Sequence, residues 1–372
     1  MMKPTLLMVH PSNELYGSDR VLLESIRALM NDWKIEVWLP TDVAYPDRLL
    51  SKELDALGIT NFDINLPVFR RALMTPRAFP TLVRRYLTTF RRLRQRKPDA
   101  VYVNTSALAS VIHMCRIQRV PAVMHLHEYV DGTARRVIQP LIGGPSEIIA
   151  VSKAITRPLS KALQNKTHIV YNGFNIDVLP ENNVQTPLVV AVASRWTPGK
   201  GYGELFDAWD LVERRDVELH VLGGPPPSGE VYDVHERIRR LRRPDSVKVI
   251  GEVSDIREAL TQAHAIIVPS RNPDPLPTIA IEANAFGRAA LASINKGGLS
   301  EIIEDGVTGA FFNLDSPQEL ATILETLDVE TLQRMGVEGR ERYKRLFDPQ
   351  RFANDIHRIV SPLAPAPGSK KR

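Results

Sequence analysis

The sequence has almost no cysteine and no long apolar run, and each absence excludes a class of protein. Cys115 is the only cysteine in 372 residues. An internal disulfide or a cysteine-rich zinc site is therefore excluded, and we expect a reducing compartment. No stretch approaches the roughly 18 apolar residues that a membrane-spanning helix needs. After Lys3, the apolar run 6–9 is broken by His10 and Pro11, so we expect no secretion signal.

The overall composition is that of a folded globular chain with an uneven distribution of charge. It is 43% hydrophobic, 24% charged and 6% aromatic, which excludes disordered and collagen-like proteins. A chain of 372 residues is too long for one core and suits two domains. Residues 1–180 contain 24 Lys or Arg against 15 Asp or Glu, whereas residues 181–372 contain 24 against 28. The basic first half predicts an anionic partner.

Short apolar runs alternate with helix-length amphipathic segments along the chain. This pattern predicts parallel strands covered by helices on both faces. A polar stretch at 180–187 separates two series, so we predict an α/β fold with two doubly wound Rossmann-like domains, 1–180 and 187–345, whose parallel sheets face a central cleft. We expect 346–360 to form a helix that crosses back to the first domain, and 361–372 to form a disordered tail. The predicted strands are 5–9, 34–39, 99–103, 121–126, 147–151, 168–171, 187–194, 217–223, 246–251, 264–270, 289–293 and 308–313.

Ligands of such sheets bind at the carboxyl ends of the strands, where loops lead into helices. After the first strand, Gly17 precedes a predicted N-cap at Ser18. A glycine there either lets backbone amides approach a ligand or only makes a tight turn. After the strand 121–126, His127 is better placed than His125 to reach a cleft, and a structural histidine is the alternative. Two histidines alone do not make a zinc site.

The first strand of the second half runs into a cationic, glycine-rich turn. Arg195 ends the strand and Lys200 follows five residues later, before a helix. A guanidinium and an ammonium at one helix N-terminus suit a diphosphate, although two solvated surface cations are the alternative. Lys200 precedes Gly201 instead of Ser or Thr, so this turn is not the phosphate-binding loop of an ATPase.

Two carboxylates flank a predicted helix start further along. Asp274 and Glu282 are separated by seven residues, and Pro277 favours a helix that begins at Thr278. The first amides of a helix have no intrahelical acceptor, so those of Thr278 and Ile279 are available to phosphate. Carboxylates accept hydrogen bonds from sugar or ribose hydroxyls. A glycosidase is the alternative, but one loop and its own helix seldom supply an opposed carboxylate pair.

In this order, the motifs resemble glycosyltransferase family 4, the retaining GT-B-fold transferases that use activated sugars. The family's Arg-x-x-x-x-Lys-Gly pattern is found at Arg195 to Gly201. Its pair of acidic residues with seven residues between them is found at Asp274 and Glu282, and the family's Glu-Ala-x-Ala-x-Gly run is found as EANAFG, which begins at Glu282. Three further segments also match, at 170–175, 249–255 and 297–309.

The resemblance implies a role for each matching position in the second domain. Arg195 and Lys200 are expected to neutralise the diphosphate of a nucleotide-sugar donor, assisted by the amides of Thr278 and Ile279. Glu282 is expected to bind the ribose hydroxyls. The two cations take the place of a divalent ion, so the resemblance implies no metal and no cofactor besides the sugar nucleotide.

Other positions are expected to contact the transferred sugar and the base. Asp274 is assigned to sugar hydroxyls, and the backbone of Ile250 and Gly251 to the base. From the first domain, His127 is expected over the donor sugar, and Gly17 is expected to face donor and acceptor. The sequence departs from the family at Asp274, where glutamate is usual.

The resemblance implies a retaining hexosyl- or deoxyhexosyltransferase of cell-surface polysaccharide assembly, acting in the cytoplasm. Its partners are then a nucleotide-sugar donor and a glycan, glycolipid or lipid-linked acceptor. Two alternatives remain. A GT-B-fold binding protein with weak or no turnover is supported only by Asp274 in place of glutamate. A nucleotide-sugar epimerase of similar architecture interconverts free donor sugars without an acceptor.

One strongly basic segment is not explained by the donor site. Residues 65–98 contain ten basic residues and no acidic one. Within 78–97, apolar residues share one helical face, which we expect to pack on the first domain. The opposite basic face is then either solvated or bound to anionic lipid at the inner face of the cell membrane. We expect no nucleic acid as a partner, because no known binding module accompanies the segment.

Overall fold

The computed structural model describes residues 3–70, 75, 77–144, 147–176, 186–226, 229–253, 255–294 and 297–366. The chain forms two compact units, Met1–Phe174 with Asp348–Arg372, and Asn175–Phe347. The units therefore divide after Phe174, earlier than the predicted boundary at 180–187. Most of that predicted boundary lies outside the described residues.

The first unit is built on a seven-stranded parallel sheet with the order β3-β2-β1-β4-β5-β6-β7. Its strands are β1 (Thr5–Val9), β2 (Lys34–Pro40), β3 (Thr60–Ile64), β4 (Ala100–Asn104), β5 (Ala122–Leu126), β6 (Glu147–Ala150) and β7 (Thr167–Ile169). The strands at the centre are apolar and fully buried, which is why their sequences predict them. The edge strand β3 (TNFDI) was not predicted, because its residues are mostly polar and partly exposed.

The helices of the first unit connect these strands. They are α1 (Gly17–Leu29), α2 (Leu49–Ala56), α3 (Phe79–Arg96), α4 (Ala109–Gln118), α5 (Gly132–Ile142) and α6 (Lys161–Gln164). The chain steps toward one sheet edge through α1 and α2 and toward the other through α3, α4 and α5. Right-handed crossovers therefore place these two groups of helices on opposite faces of the sheet. α3 packs against α4, and α4 packs against α5.

Helix α3 matches the predicted helix 78–97, but its predicted packing is only partly confirmed, because Leu82, Tyr86 and Phe90 are half-buried. Phe79, Val83 and Leu87 are exposed, whereas Thr89 and Leu93 are buried. The helix is therefore rotated relative to the expected orientation. The reason is that two of its arginines bind buried carboxylates of the same unit, as described below.

The second unit has a six-stranded parallel sheet with the order β10-β9-β8-β11-β12-β13. Its strands are β8 (Leu188–Ala193), β9 (Val217–Leu222), β10 (Val247–Gly251), β11 (Ala265–Val268), β12 (Ala289–Ser293) and β13 (Gly309–Phe312). All six correspond to predicted strands. The predicted α/β class with two doubly wound parallel sheets is confirmed.

The helices of the second unit cover this sheet. They are α7 (Tyr202–Trp209), α8 (Val234–Arg239), α9 (Ile256–Thr261), α10 (Thr278–Phe286), α11 (Leu299–Ile302), α12 (Pro317–Thr326) and α13 (Val329–Leu346). α13 packs closely on α10 and on the turn that follows it. A Cβ atom on Gly336 would lie 2.1 Å from the carbonyl oxygen of Gly287, so only glycine permits this approach.

The last helix, α14 (Pro349–Val360), belongs to the first unit and packs on α1. Asp348 caps it by accepting the amide of Arg351 at 2.9 Å. After it, Ser361–Leu363 form a turn of 3-10 helix, so the expectation of disorder is wrong for the start of the tail, because the helix continues into this turn. Residues 367–372 lie outside the described residues. In the described part of the chain, no helix is both long enough and apolar enough to span a membrane.

Replacing Gly336 with alanine tests the contact between α13 and α10. The added methyl group must displace the backbone at Gly287, so we expect Gly336→Ala to lower the free energy of unfolding by about 1–3 kcal/mol. Urea denaturation measures this. Gly203→Ala is the control, since Gly203 lies in α7 and a Cβ on it would make only an ordinary contact, at 3.6 Å from the hydroxyl of Tyr232. Equal stabilities of the two variants would contradict the packing described.

Candidate active site

Three loops of the second unit meet at the carboxyl ends of neighbouring strands. They follow β8, β11 and β12, which lie side by side in the sheet. The carbonyl oxygen of Gly199 accepts the amides of Arg271 and Asn272, each at 3.1 Å. The amide of Gly298 donates to the carbonyl oxygen of Asp274 at 2.8 Å. Backbone hydrogen bonds therefore tie the three loops into one structure.

Glycines make this close approach of the loops possible. Gly201 has a φ of +74°, and a Cβ on it would lie 1.7 Å from the carbonyl oxygen of Pro269. A Cβ on Gly298 would lie 2.2 Å from the carbonyl oxygen of Pro275. Any other residue at these positions would push the loops apart.

An ion pair between two predicted site residues joins the first two loops. The Nζ atom of Lys200 lies 2.9 Å from the Oδ2 atom of Asp274, and both side chains are partly exposed. An ammonium group has three donors and a carboxylate has two oxygens. Each group can therefore bind a ligand without giving up the pair. Arg195, at the end of β8, is exposed, and its carbonyl oxygen accepts the amide of Thr197 at 2.9 Å.

Helix α10 begins at Thr278, as predicted, with Pro277 at the N-cap. Pro277 accepts the amide of Ala280 at 3.1 Å, so the amides of Thr278 and Ile279 lie at the positively polarised end of the helix. Glu282 follows one turn later and is 7% exposed. The predicted phosphate-binding amides and the second carboxylate therefore share one helix.

The backbone at the end of β10 is irregular where base contacts are expected. The pairing of β10 with β9 shifts between Val249 and Gly251. Gly251 has a φ of +83°, and its carbonyl oxygen accepts the amide of Gly223 at 2.8 Å. The bulge leaves the side chain of Ile250 43% exposed at the end of the strand.

In the first unit, His127 lies at the end of a chain of buried hydrogen bonds. Its Nε2 atom lies 2.8 Å from Oδ1 of Asn104, whose Nδ2 lies 2.8 Å from Nδ1 of His10. The Nε2 atom of His10 lies 2.7 Å from Oδ1 of Asp19. Since an amide nitrogen only donates, Nδ1 of His10 accepts and its Nε2 donates to the carboxylate. By the same logic, Nε2 of His127 donates to Asn104, which leaves Nδ1 as its acceptor.

The charge states of this chain follow from burial and hydrogen bonding. Desolvation, together with the nearby His10, lowers the pKa of His127 to about 3, so its imidazole is neutral near pH 7. Burial alone would raise the pKa of Asp19, but hydrogen bonds from His10, Ser12 and the Tyr16 amide hold it below the usual value. The chain therefore joins a buried carboxylate to a neutral histidine.

Sequence reasoning found His127 but missed its three partners. His10, Asn104 and His127 stand at the ends of β1, β4 and β5, which are adjacent in the sheet. The order of the strands in the sheet would have indicated that these three residues lie close together. His125 is fully buried with its ring 4.2 Å from that of His127, and its Nδ1 atom lies 2.5 Å from the hydroxyl of Tyr102. His125 is therefore structural.

The predicted start of α1 is wrong by two positions. The helix begins at Gly17 itself, with Tyr16 at the N-cap instead of Ser18. The cause is Asp19, whose Oδ2 atom accepts the amide of Tyr16 at 2.9 Å. Gly17 therefore lies in the first turn of the helix and is exposed. Among the residues with described placement, no cluster of three or more His, Cys, Asp or Glu is arranged to hold a metal ion.

Replacing Asp19 with asparagine tests the buried chain through its dependence on pH. Because folding lowers the pKa of Asp19, its charge stabilises the fold above the unfolded pKa of about 3.9 and ceases to do so as the pH falls through the lower folded value. We expect Asp19→Asn to lower the free energy of unfolding at pH 7 by about 1.5–3 kcal/mol.

Urea denaturation at pH 7 and pH 3 measures this effect, with the exposed Asp47→Asn as the control. The destabilisation by Asp19→Asn should be clearly smaller at pH 3. An equal loss at both values would show that the carboxylate charge plays no part.

Comparison with known proteins places each unit in a family. Residues 17–178 match the sequence model of Glycosyltransferase Family 4, and residues 177–342 match that of Glycosyl transferases group 1. An uncharacterized glycosyltransferase of Methanocaldococcus jannaschii is 25% identical over 59% of this chain and 60% of its own length. The lipopolysaccharide 1,2-N-acetylglucosaminetransferase of Salmonella typhimurium is 25% identical over 76% of this chain and 71% of its own.

A solved structure extends the comparison of the fold to nearly the whole chain. HepE of Anabaena, determined in complex with UDP, has a TM-score of 0.81 at 23% identity and covers 96% of this chain and 100% of its own. At that identity the likeness shows the fold alone. The two family matches together span residues 17–342. The chain therefore belongs to glycosyltransferase family 4 and has the GT-B fold of two Rossmann-like domains.

Proposed function

We propose that this protein is a retaining glycosyltransferase that moves a hexosyl or deoxyhexosyl group from a nucleoside-diphosphate sugar to a glycan, glycolipid or lipid-linked acceptor. The observation that carries the proposal is the 2.9 Å pair of Lys200 and Asp274 beside the N-terminus of α10. A cation, a carboxylate and free helix amides in one place match a ligand that carries both a diphosphate and sugar hydroxyls.

The diphosphate is assigned to the positive groups of this site. Lys200 retains donors beyond the one it gives to Asp274, and Arg195 stands on the same loop. The amides of Thr278 and Ile279 add the partial positive charge of the helix end. Charge-assisted hydrogen bonds of this kind are the strong ones, so they supply most of the donor affinity.

The sugar and the nucleoside are assigned to the remaining acceptors. Asp274 binds hydroxyls of the transferred sugar with the oxygen that the Lys200 pair leaves available. Glu282, buried one turn into α10, binds the ribose hydroxyls. The backbone of Ile250 and Gly251 binds the base, and the exposed apolar side chain of Ile250 suits the face of an aromatic ring.

The first unit contributes an uncharged group and a close backbone approach. His127 is neutral and presents Nδ1 as an acceptor, which suits a hydroxyl of the transferred sugar. Because Asn104 holds the other ring nitrogen, the orientation of the imidazole is fixed before the donor arrives. Gly17, in the first turn of α1, faces the donor and the acceptor.

In the proposed reaction, the bond between the anomeric carbon and the diphosphate oxygen breaks while a bond to the acceptor oxygen forms on the same face of the sugar. The acceptor hydroxyl gives its proton to the departing diphosphate. Lys200, Arg195 and the amides of α10 stabilise the negative charge that develops on this leaving group, which is the main catalytic device. These cations take the role of a divalent metal, so we propose no cofactor besides the sugar nucleotide.

The acceptor is proposed from the relatives. The Salmonella protein is named for its action on lipopolysaccharide, and HepE was solved in complex with UDP-glucose. These names support a nucleotide-sugar donor and a role in assembling cell-surface polysaccharide. We propose that the protein acts in the cytoplasm, at the inner face of the cell membrane.

Removing the ammonium of Lys200 tests the proposal. We expect Lys200→Ala to lower kcat/KM for donor consumption by about 100- to 1,000-fold, because the leaving group loses its nearest charge. We expect Glu282→Gln mainly to raise KM for the donor. Sugar transfer and donor hydrolysis are measured on a panel of nucleotide sugars. Lys344→Ala and Glu341→Gln are matched controls, since they remove an exposed ion pair elsewhere in the same unit.

The outcomes separate the proposal from its alternatives. Proton NMR of the product should show the anomeric configuration of the donor, whereas the opposite configuration would contradict a retaining reaction. Thermal stabilisation by donor without turnover would instead indicate a binding protein. Interconversion of donor sugars without an acceptor would indicate an epimerase. Full activity of Lys200→Ala would contradict the assignment of the diphosphate site.

A further inference from the structure

One face of the first unit carries only positive charge on its helices. α3, α4 and α5 lie side by side on the same face of the sheet, and none of them contains an aspartate or a glutamate. Together they contain nine arginines: Arg84, Arg85, Arg91, Arg92, Arg94, Arg96, Arg116, Arg135 and Arg136. A surface built this way attracts an extended anionic partner.

An apolar strip runs along α3 on this face. Phe79, Val83 and Leu87 are spaced four residues apart, so they follow one another along the helix. Their exposed fractions are 62%, 40% and 49%. Three large apolar side chains exposed in a row are unusual for a surface helix that meets only water.

The packing of α3 fixes the orientation of this strip. Leu93 is buried against the unit, and the Nε atom of Arg96 donates to Oε2 of the buried Glu36 at 2.6 Å. The hydroxyl of Tyr86 lies 2.9 Å from Nδ1 of His113 on α4. These contacts all lie on one face of the helix and fix its orientation. The apolar strip therefore lies outside the core.

The arginines of α3 fall into two groups, those that pair with a carboxylate of the unit and those that do not. Arg85 lies 3.7 Å from the buried Asp42. By contrast, Arg84, Arg91 and Arg94 are exposed and make no ion pair with any residue that the structure describes. Long arginine side chains beside apolar ones can keep the guanidinium group at a polar surface while the strip enters an apolar phase.

We propose that the face formed by α3, α4 and α5 binds an anionic lipid membrane, with Phe79, Val83 and Leu87 inserted at the boundary of headgroups and acyl chains. The combination of an apolar strip and unpaired arginines favours lipid over the other occupants. A second copy of this face would bring like charges together. The backbone of a nucleic acid has no apolar surface that could contact the side chains of Val83 and Leu87. The inference goes beyond the proposed function and does not depend on catalysis.

Sedimentation with lipid vesicles tests the proposal on the full chain. We expect binding to vesicles of phosphatidylcholine with 30% phosphatidylglycerol, little binding to phosphatidylcholine alone, and loss of binding in high salt. Replacing Arg84, Arg91 and Arg94 with glutamine should weaken binding about 100-fold, since each basic residue near the surface contributes about a factor of five. Replacing Phe79, Val83 and Leu87 with serine should weaken it roughly 10-fold.

Matched variants elsewhere on the surface control for loss of charge and of apolar area. Arg215, Arg242 and Arg334 are exposed arginines for replacement with glutamine, and Leu49, Leu211 and Val337 are exposed apolar residues outside this face for replacement with serine. We expect both control triples to bind vesicles as the wild type does. Equal weakening by the control and α3 variants, or no binding of the wild type to anionic vesicles, would overturn the proposal.

An environment-sensitive fluorophore tests insertion without depending on the stability of the triple variants. Cys115 is fully buried, so a cysteine introduced on the surface can be labelled selectively. A label at Val83→Cys should gain intensity and shift to the blue with anionic vesicles, whereas a label at the exposed Val337→Cys should not. An unchanged spectrum at position 83 would show that the strip does not enter lipid. Lipid-free self-association lost in the Phe79, Val83 and Leu87 variant would assign the face to a second copy and overturn the proposal.

Discussion

The candidate site depends on the attraction between the Lys200 ammonium and the Asp274 carboxylate. This pair links the loop after β8 to the loop after β11. Both side chains are partly exposed, and such pairs contribute only about 0–1 kcal/mol to folding. The pair is therefore too weak to be mainly a stabilising element, and the ammonium has further donors for a diphosphate. Under the proposed function, the carboxylate of Asp274 also keeps the ammonium of Lys200 in position.

The two units offer different chemistry. The second unit presents cations, carboxylates and a helix N-terminus at strand ends. The first unit presents a neutral histidine whose ring is fixed through Asn104 and His10 to the buried Asp19. A neutral acceptor suits a sugar hydroxyl, whereas charge is needed where the leaving group departs.

Much of the fold was predictable because its strands are short, apolar and separated by helices. The edge strand β3 was not predictable, since a strand at the edge of a sheet needs few apolar residues. The face on which α3 packs was not predictable either, since Arg96 bonds to Glu36, which is distant in the sequence. Within the site, the start of α10 follows from Pro277. The partners of His127 depend on which strands are neighbours, and that order follows from tertiary structure.

The basic face adds a physical reason for the charge imbalance of the sequence. Part of the positive charge on α3 is used inside the unit by Arg85 and Arg96, and the rest borders exposed apolar side chains. Neither the composition nor the helical periodicity separates these two groups of arginines. Only the contacts with Asp42 and Glu36 do so.

Calorimetric titration in metal-free buffer tests the central claim most directly. It compares the nucleoside diphosphate and monophosphate of the base that the protein prefers. If side-chain cations and the α10 amides bind the diphosphate, the diphosphate should bind at least about ten times more tightly than the monophosphate, because the second phosphate adds further charge-assisted hydrogen bonds. Equal affinities, or diphosphate binding only after a divalent metal is added, would contradict the account.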